Sequence, residues 1–511
     1  MSEAIARRAD HGFIDVNAQI GPLRGRAGGA APEFLASELA SHGVGRALVR
    51  HRTAILGEAT VGNNLVLEAA QADPRLVPVA ALGVDRSDEY QQRPDVFGSR
   101  VAAFWLESRG PVSGSAPIEG VDAENLLRAA ARHGKPIFIV LGPWGTSSEI
   151  GRATADLGVP IVLVGSHYNT SVEDVAAAVR YPHLHLETSR MAHLDAVDTV
   201  VREIGHERLL FGSGAPLRAL QSPLNAILAA HIGDDHKRAI LAGNAQRLFG
   251  LPAGAPVVLP PIWKPARSID VHTHFGPLPW DATDVASRDL LPLLAAENNS
   301  VGAVASSIFA IAADTEAGNA HAVEVAGEGT GQVAYLVADP NDIETTREQI
   351  RRWGDAPGVV GAKVHCQWAE RLTGAREIAA VFEVLASYGK PVKIHNDGAD
   401  WHHRLLEIAN RHPKLPIVIA HGGLGYPMPE AAALTVEADN IYLEMCSSFA
   451  QPIASVRDMV RVMPRHKFMF GTDAPLLDPS FVLGTYQDAA IPDDRQDDVY
   501  YGNAARLYGL D

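Results

Sequence analysis

The chain has 511 residues, 47% apolar and 20% charged, with a formal net charge of −16. Such a length exceeds one ordinary core and predicts two domains of roughly 250 residues. The composition is that of a globular protein, and the negative charge argues against nucleic acid or an anionic membrane as partner. The two cysteines, Cys366 and Cys446, give no disulfide framework and fit a reducing compartment. The first ten residues lack the apolar core of a signal peptide, and no apolar run reaches about 18 residues. The expectation is a cytoplasmic protein.

In chain order, the first half (residues 1–251) alternates short apolar runs with Ala/Leu-rich stretches. The runs include Gly12-Phe13-Ile14-Asp15-Val16-Asn17, Lys135-Pro136-Ile137-Phe138-Ile139-Val140, Val159-Pro160-Ile161-Val162-Leu163-Val164-Gly165 and Leu210-Phe211-Gly212-Ser213-Gly214-Ala215-Pro216. It closes on Gly243-Asn244-Ala245-Gln246-Arg247-Leu248-Phe249-Gly250-Leu251. Residues 252–267 hold many prolines, which bar a helix interior or a central strand, and predict a linker.

The second half (268–511) repeats these runs 255 to 259 positions later. Asp270-Val271-His272-Thr273-His274 follows the linker, Lys390-Pro391-Val392-Lys393-Ile394-His395 and Leu415-Pro416-Ile417-Val418-Ile419-Ala420-His421 come next, then Phe468-Met469-Phe470-Gly471-Thr472-Asp473-Ala474-Pro475. The offset predicts a duplicated domain rather than a solenoid unit. Strands are predicted near 269–274, 301–309, 332–338, 359–365, 391–395, 416–420, 441–445 and 467–472. Eight strands with intervening helices in about 240 residues are the size of a (β/α)8 barrel. The fold expectation is therefore α/β, two tandem TIM barrels. A doubly wound open sheet is the second choice, disfavoured because no Gly-rich phosphate loop follows the first strand.

Two histidines at i and i+2 on a strand point to one side and can grip one ion together. His272 and His274 do so at a strand end, and later strands end in His395, His421 and Asp473. This ordered set, with Gly361-Ala362-Lys363-Val364-His365 and the closing Gly502-Asn503-Ala504-Ala505-Arg506-Leu507-Tyr508-Gly509-Leu510, resembles the amidohydrolase superfamily. The likeness is to its branch containing aminocarboxymuconate-semialdehyde decarboxylase and related hydrolases, lactonases and hydratases.

His272, His274, His395 and Asp473 offer three neutral nitrogens and a carboxylate, a set that suits one divalent transition metal, Zn²⁺ above others, with a position left open. The resemblance implies that Asp473 also serves as general base. It implies that His421 sits beside the metal as the proton-transfer group. Lys363 admits two readings. A carbamylated Lys363 would bridge two ions, with His395 and His421 on the second, as in other branches; in this branch the lysine is not a ligand. His365 either lines the pocket or is structural. Trp280, Trp368, Arg371, Trp401, His402, His403, Tyr426 and Cys446 follow strand ends and are candidates for the substrate pocket.

The same offsets put Asn17, Gln19, Val140, Gly165 and Gly214 where the second half has His272, His274, His395, His421 and Asp473. Aligning Ala103-Phe104-Trp105-Leu106 with Ala362-Lys363-Val364-His365 places Phe104 at Lys363 and Leu106 at His365. The first half thus reads as a degenerate, metal-free barrel that pairs with the second as an internal pseudo-dimer. His167 and Arg218 lie near its strand ends. The function expected is hydrolysis of a C–N or C–O bond in a small molecule by metal-activated water. The alternative is non-oxidative decarboxylation or hydration of a small carboxylate. A non-catalytic scaffold role fits the first half but not the second.

Overall fold

The computed structural model describes residues 11–23, 26–56, 58–82, 97–107, 109–110, 114–115, 121–276, 287–327, 331–365, 375–395, 401–422, 428–447 and 452–510. The chain divides into two compact units, Met1–Ile262 and Trp263–Asp511, so the Pro-rich stretch is shared between them. No helix among the described residues is long and apolar enough to cross a membrane.

The second unit is a parallel eight-stranded sheet in sequence order: Ser268–Phe275, Ser300–Ser307, Gln332–Ala338, Val359–His365, Val392–His395, Ile417–Ile419, Ile441–Glu444 and Phe468–Met469. Each expected strand is present. The open-sheet alternative fails because the first strand also bonds the chain beyond the eighth. Val271 N–H donates to Phe470 O at 3.0 Å, Asp473 N–H to His272 O at 2.7 Å, and His274 N–H to Ala474 O at 2.7 Å. The sheet is closed into a barrel.

The first unit repeats this with eight parallel strands, Phe13–Leu23, Val44–His51, Leu76–Leu82, Ala103–Leu106, Ile137–Val140, Ile161–Val164, Leu184–Glu187 and Leu209–Leu210. A ninth, Arg26–Ala30, pairs antiparallel with the first. Closure uses Val16 N–H to Phe211 O, Gly214 N–H to Asn17 O and Gln19 N–H to Ala215 O.

The same polar clamps recur in both barrels. Asn319 in helix Thr315–Gly327 exchanges two hydrogen bonds with Val337 (2.8 and 2.9 Å), as Asn63 does with Ala81 (2.9 and 3.0 Å). Asn503 Nδ2 caps the carbonyls of Arg465 and Phe468, and Asn244 Nδ2 those of His206 and Leu209. These bonds satisfy backbone groups that a buried strand end would otherwise leave bare. The closing helices Asn244–Phe249 and Asn503–Tyr508 both end on a glycine in left-handed backbone, Gly250 and Gly509.

Strand register corrects one alignment. Ala81 pairs with Trp105 and Trp105 with Phe138, whereas Val337 pairs with Lys363 and Lys363 with Lys393. Trp105, not Phe104, therefore stands at the position of Lys363, and Glu107 at that of His365. The bases of the two barrels differ accordingly. In the first, Trp105 stacks on Phe138 and Phe138 on Phe249, each pair with centroids 5.5 Å apart. In the second the matching residues are Lys363, Lys393 and Tyr508, the last hydrogen-bonded to Tyr335.

Candidate metal centre

In the second barrel, His272 and His274 leave the first strand on one side, with ring centroids 5.2 Å apart. Asp473 follows the eighth strand, and its Oδ1 lies 3.4 Å from His272 Nε2 and 3.1 Å from His274 Nε2. Each of the three offers a ligand atom within 4.8 Å of the others, and all three are buried.

The imidazoles are held from behind. His272 Nδ1 lies 2.6 Å from Glu444 Oε1, and His274 Nδ1 lies 3.0 Å from Ser306 Oγ and 3.3 Å from the Ser306 carbonyl. A carboxylate or carbonyl only accepts, so both Nδ1 atoms carry the proton and both Nε2 lone pairs face inward. Burial holds both histidines below the usual imidazole range, so they are neutral. Burial alone would raise the Asp473 carboxyl. Its contacts with His274, His421 and Lys363 outweigh burial and leave it lowered. Two lone pairs and a carboxylate oxygen thus converge, an arrangement that a cation stabilises. Lys363 Nζ stands 2.9 Å from His272 Nε2 as such a cation. The donor set fits a divalent ion.

His421 ends the sixth strand. Its Nδ1 lies 2.8 Å from the Cys446 carbonyl, so Nδ1 is the protonated nitrogen; its Nε2 lies 2.9 Å from His395 Nδ1. His395 stacks on His365 at 4.0 Å between centroids. His395 therefore faces His421 and lies outside the His272–His274–Asp473 group. Burial holds His365 and His395 well below the usual range and lowers His421. Burial, then Lys393, brings Lys363 down to about 8.

Cys446 lies beneath the imidazoles, with Sγ 3.2 Å from His272 Nδ1 and 3.3 Å from His421 Nδ1. Burial, then Glu444, pushes its thiol well up, so it stays protonated. Trp280, Trp368, Arg371 and Tyr426 lie outside the described residues, and so do the side chains of Trp401, His402 and His403 at the start of helix Trp401–Arg411.

Glu444 and Lys393 escaped sequence reasoning. Glu444 accepts His421 N–H at 3.0 Å and Cys446 N–H at 2.8 Å besides gripping His272. Lys393 Nζ donates to Val271 O at 2.5 Å and lies 3.7 Å from Glu444. The signal for Glu444 was its repeat: Glu187 ends the matching strand of the first half.

In the first barrel, Glu187 keeps its post and accepts Ser189 N–H, Ser189 Oγ–H and Gly165 N–H. The ligand positions do not. Asn17 Nδ2 donates to Ser189 Oγ at 3.2 Å, Gln19 Nε2 lies 3.5 Å from Gly214 O, and Gly165 and Gly214 have no side chain.

A family model described as amidohydrolase matches residues 14–251 and again 269–510. No curated protein matches the sequence. Similar solved structures include 2,6-dihydroxybenzoate decarboxylase from Rhizobium, at 15% identity over 48% of this chain and 98% of its own, with a TM-score of 0.38. The 5-carboxyvanillate decarboxylase from Sphingomonas paucimobilis is 17% identical over 48% of this chain and 99% of its own, at 0.37. The dihydroxybenzoic acid decarboxylase from Polaromonas, with bound manganese and 2-nitroresorcinol, is 17% identical over 48% and 97%, at 0.39.

Proposed function

The chain belongs to the amidohydrolase family, and on that premise we propose that its second barrel is a divalent-metal enzyme that hydrolyses a C–N or C–O bond of a small molecule. One observation carries this reading: the inward lone pairs of His272 and His274 meet the Asp473 carboxylate in a buried group. These three residues would hold the ion. When bound, a divalent ion supplies Lewis acidity, lowering the pKa of water toward about 7 and polarising a carbonyl. The first barrel, whose described residues at the matching positions offer no ligands, is read as a metal-free companion domain that arose by duplication.

The other roles belong to the chain's own groups. Glu444 fixes the tautomer and orientation of His272 and, through the backbone of residues 421 and 446, the seats of His421 and Cys446. Asp473, held ionised, is the proton acceptor. The proton that Asp473 takes from the attacking water passes to Nε2 of His421, which is neutral with its own proton on Nδ1, and from there to the leaving group; His395 orients that nitrogen. Lys363 offers the chamber a second positive group, which favours an anionic substrate.

That same cation supports a second reading. A buried ammonium 2.9 Å from a ligand histidine is a counter-charge for a substrate carboxylate, so non-oxidative decarboxylation uses the same site. The test is metal-loaded protein against panels of small amides, imides, lactones and aromatic carboxylates. The lead reading expects acid plus amine or alcohol, and release of CO₂ would replace it with the second. Full turnover by protein stripped of metal would overturn both.

A further inference from the structure

The first barrel's mouth has exchanged ligands for guanidinium groups. By strand register Arg50 stands where the second barrel has Ser306, because Gln19 pairs with Arg50 as His274 pairs with Ser306. Counting from the shared glutamate, Arg190 stands at Ser447. Counting from the shared Ala-Pro, Arg218 stands at Leu477. Three neutral residues have become three cations around one strand-end circle.

Their stems fill the space the ligands gave up. A Cβ on Gly214, the position of Asp473, would lie 3.0 Å from Arg218 Cδ. A Cβ on Gly165, the position of His421, would lie 3.4 Å from Arg190 Cδ. Arg50 is held in place, its Nη1 donating to Asn17 Oδ1 at 2.7 Å and to Ala18 O at 3.3 Å, with its guanidinium 3.6 Å above the Trp105 ring. Arg50 is 8% exposed, and its Nε finds no acceptor among the described residues. Arg190 and Arg218 are only half-buried, so the cluster is open to solvent on their side.

We propose that the mouth of the first barrel binds a small oxyanion, a carboxylate or a phosphate, held by Arg50, Arg190 and Arg218. Like-charged side chains packed together repel, and a guanidinium fork matches the paired oxygens of either anion. Two carboxylates act most on the cluster, Glu107 and Glu187 on Arg50 and Glu187 on Arg218, and against three guanidinium groups they leave a net positive charge. The positive field reaches neighbouring groups. Burial first, then Arg190, brings Arg218 down to about 9; burial, then Arg190 and Arg218, holds His167 at about 2. Where the second barrel gathers lone pairs around a cation, the first builds the cation into the chain.

The experiment is calorimetric titration of the full-length protein with sodium phosphate and, separately, sodium benzoate, at fixed ionic strength. Variants are Arg190→Gln, Arg218→Gln, Arg50→Lys and His272→Ala, with circular dichroism checking the fold. A saturable site that depends on Arg190 and Arg218 and survives in His272→Ala is expected for at least one of the anions, and the anion that binds there identifies the source. The two glutamine variants should weaken it at least tenfold. Arg50→Lys, which keeps the charge but loses the fork, guards against misfolding and should weaken it less. His272→Ala should leave it unchanged, which separates this site from the metal centre. No saturable binding of either anion in the millimolar range, binding indifferent to Arg190 and Arg218, or binding lost in His272→Ala would each overturn the proposal.

Discussion

His421 and Asp473 sit in left-handed backbone at φ 60° and 64°, while Gly165 and Gly214, at the same places in the first barrel, sit at 91° and 73°. The left-handed turn thus belongs to the barrel scaffold and is kept where no metal ligand remains. A side chain there costs roughly 1–2 kcal/mol per residue, a cost glycine avoids. The second barrel carries that strain at the two residues proposed to move protons, the kind of place where stored strain is expected. The bases of the barrels repeat the contrast. Trp105, Phe138 and Phe249 form a stacked apolar column, whereas Lys363 and Lys393 are buried charges that Glu444, Asp473 and backbone carbonyls must satisfy. Buried ion pairs add little net stability and are kept for other reasons.

The largest expected break in this comparison comes from the ligands. His272→Ala or Asp473→Ala should lower bound metal to a small fraction of one per chain and take activity to background. Asn17→Ala and Gln19→Ala should change neither. Metal analysis of the purified variants checks this, and stoichiometric metal surviving in both ligand variants would dissolve the asymmetry between the barrels.

Next in size is His421→Asn, expected to cost about 10²- to 10⁴-fold in kcat with metal retained. Loss of metal equal to that in His272→Ala would make His421 a ligand instead.

A pH effect follows from Asp15. Burial raises its carboxyl to about 6, above the unfolded value near 3.9. The folded state then binds more protons between about pH 4 and 6, so stability falls as pH rises through that window. Asp15→Asn should flatten the fall by up to ~3 kcal/mol. Hydrogen exchange read on peptides of the first barrel at pH 4 and 7 measures it; an unaltered slope would place the titrating group elsewhere.

The smallest effect concerns what the barrels share. Asp15 accepts Ser213 N–H at 3.0 Å and Ser213 Oγ–H at 2.5 Å; Asp270 accepts the same pair from Thr472 at 3.0 and 2.5 Å. Ser213→Ala and Thr472→Val should each cost about 1–3 kcal/mol, by similar amounts, because each leaves a buried carboxyl short of a donor. Only Thr472→Val, next to Asp473, should also lower kcat. Hydrogen exchange and turnover, measured side by side, separate the two.

His272, His274, His421 and Asp473 were legible in the sequence because each ends an apolar run and periodicity alone aims it at the mouth. The eight strands were legible for the same reason. Glu444 and Lys393 were not, because their work depends on partners 172 and 122 residues away, His272 and Val271. The register of the fourth strand was missed because an alanine in each half, Ala103 and Ala362, invites alignment of Phe104 with Lys363, and only pairing with neighbouring strands resolves the slip by one. Asn17, Gln19 and Arg218 were each visible singly. That arginine stems occupy the vacated ligand space was a matter of packing and not of pattern.

That packing has a consequence for mutational history. Gly214→Asp, the single change that would begin to restore a carboxylate in the first barrel, pushes a new Cβ to within 3.0 Å of the Arg218 stem while adding left-handed strain. Gly165→His meets Arg190 in the same way at 3.4 Å. Each reversion is costly until an arginine has gone, and an arginine lost first leaves only a gap. While Arg218 and Arg190 keep these places, a side chain at residue 214 or 165 is disfavoured.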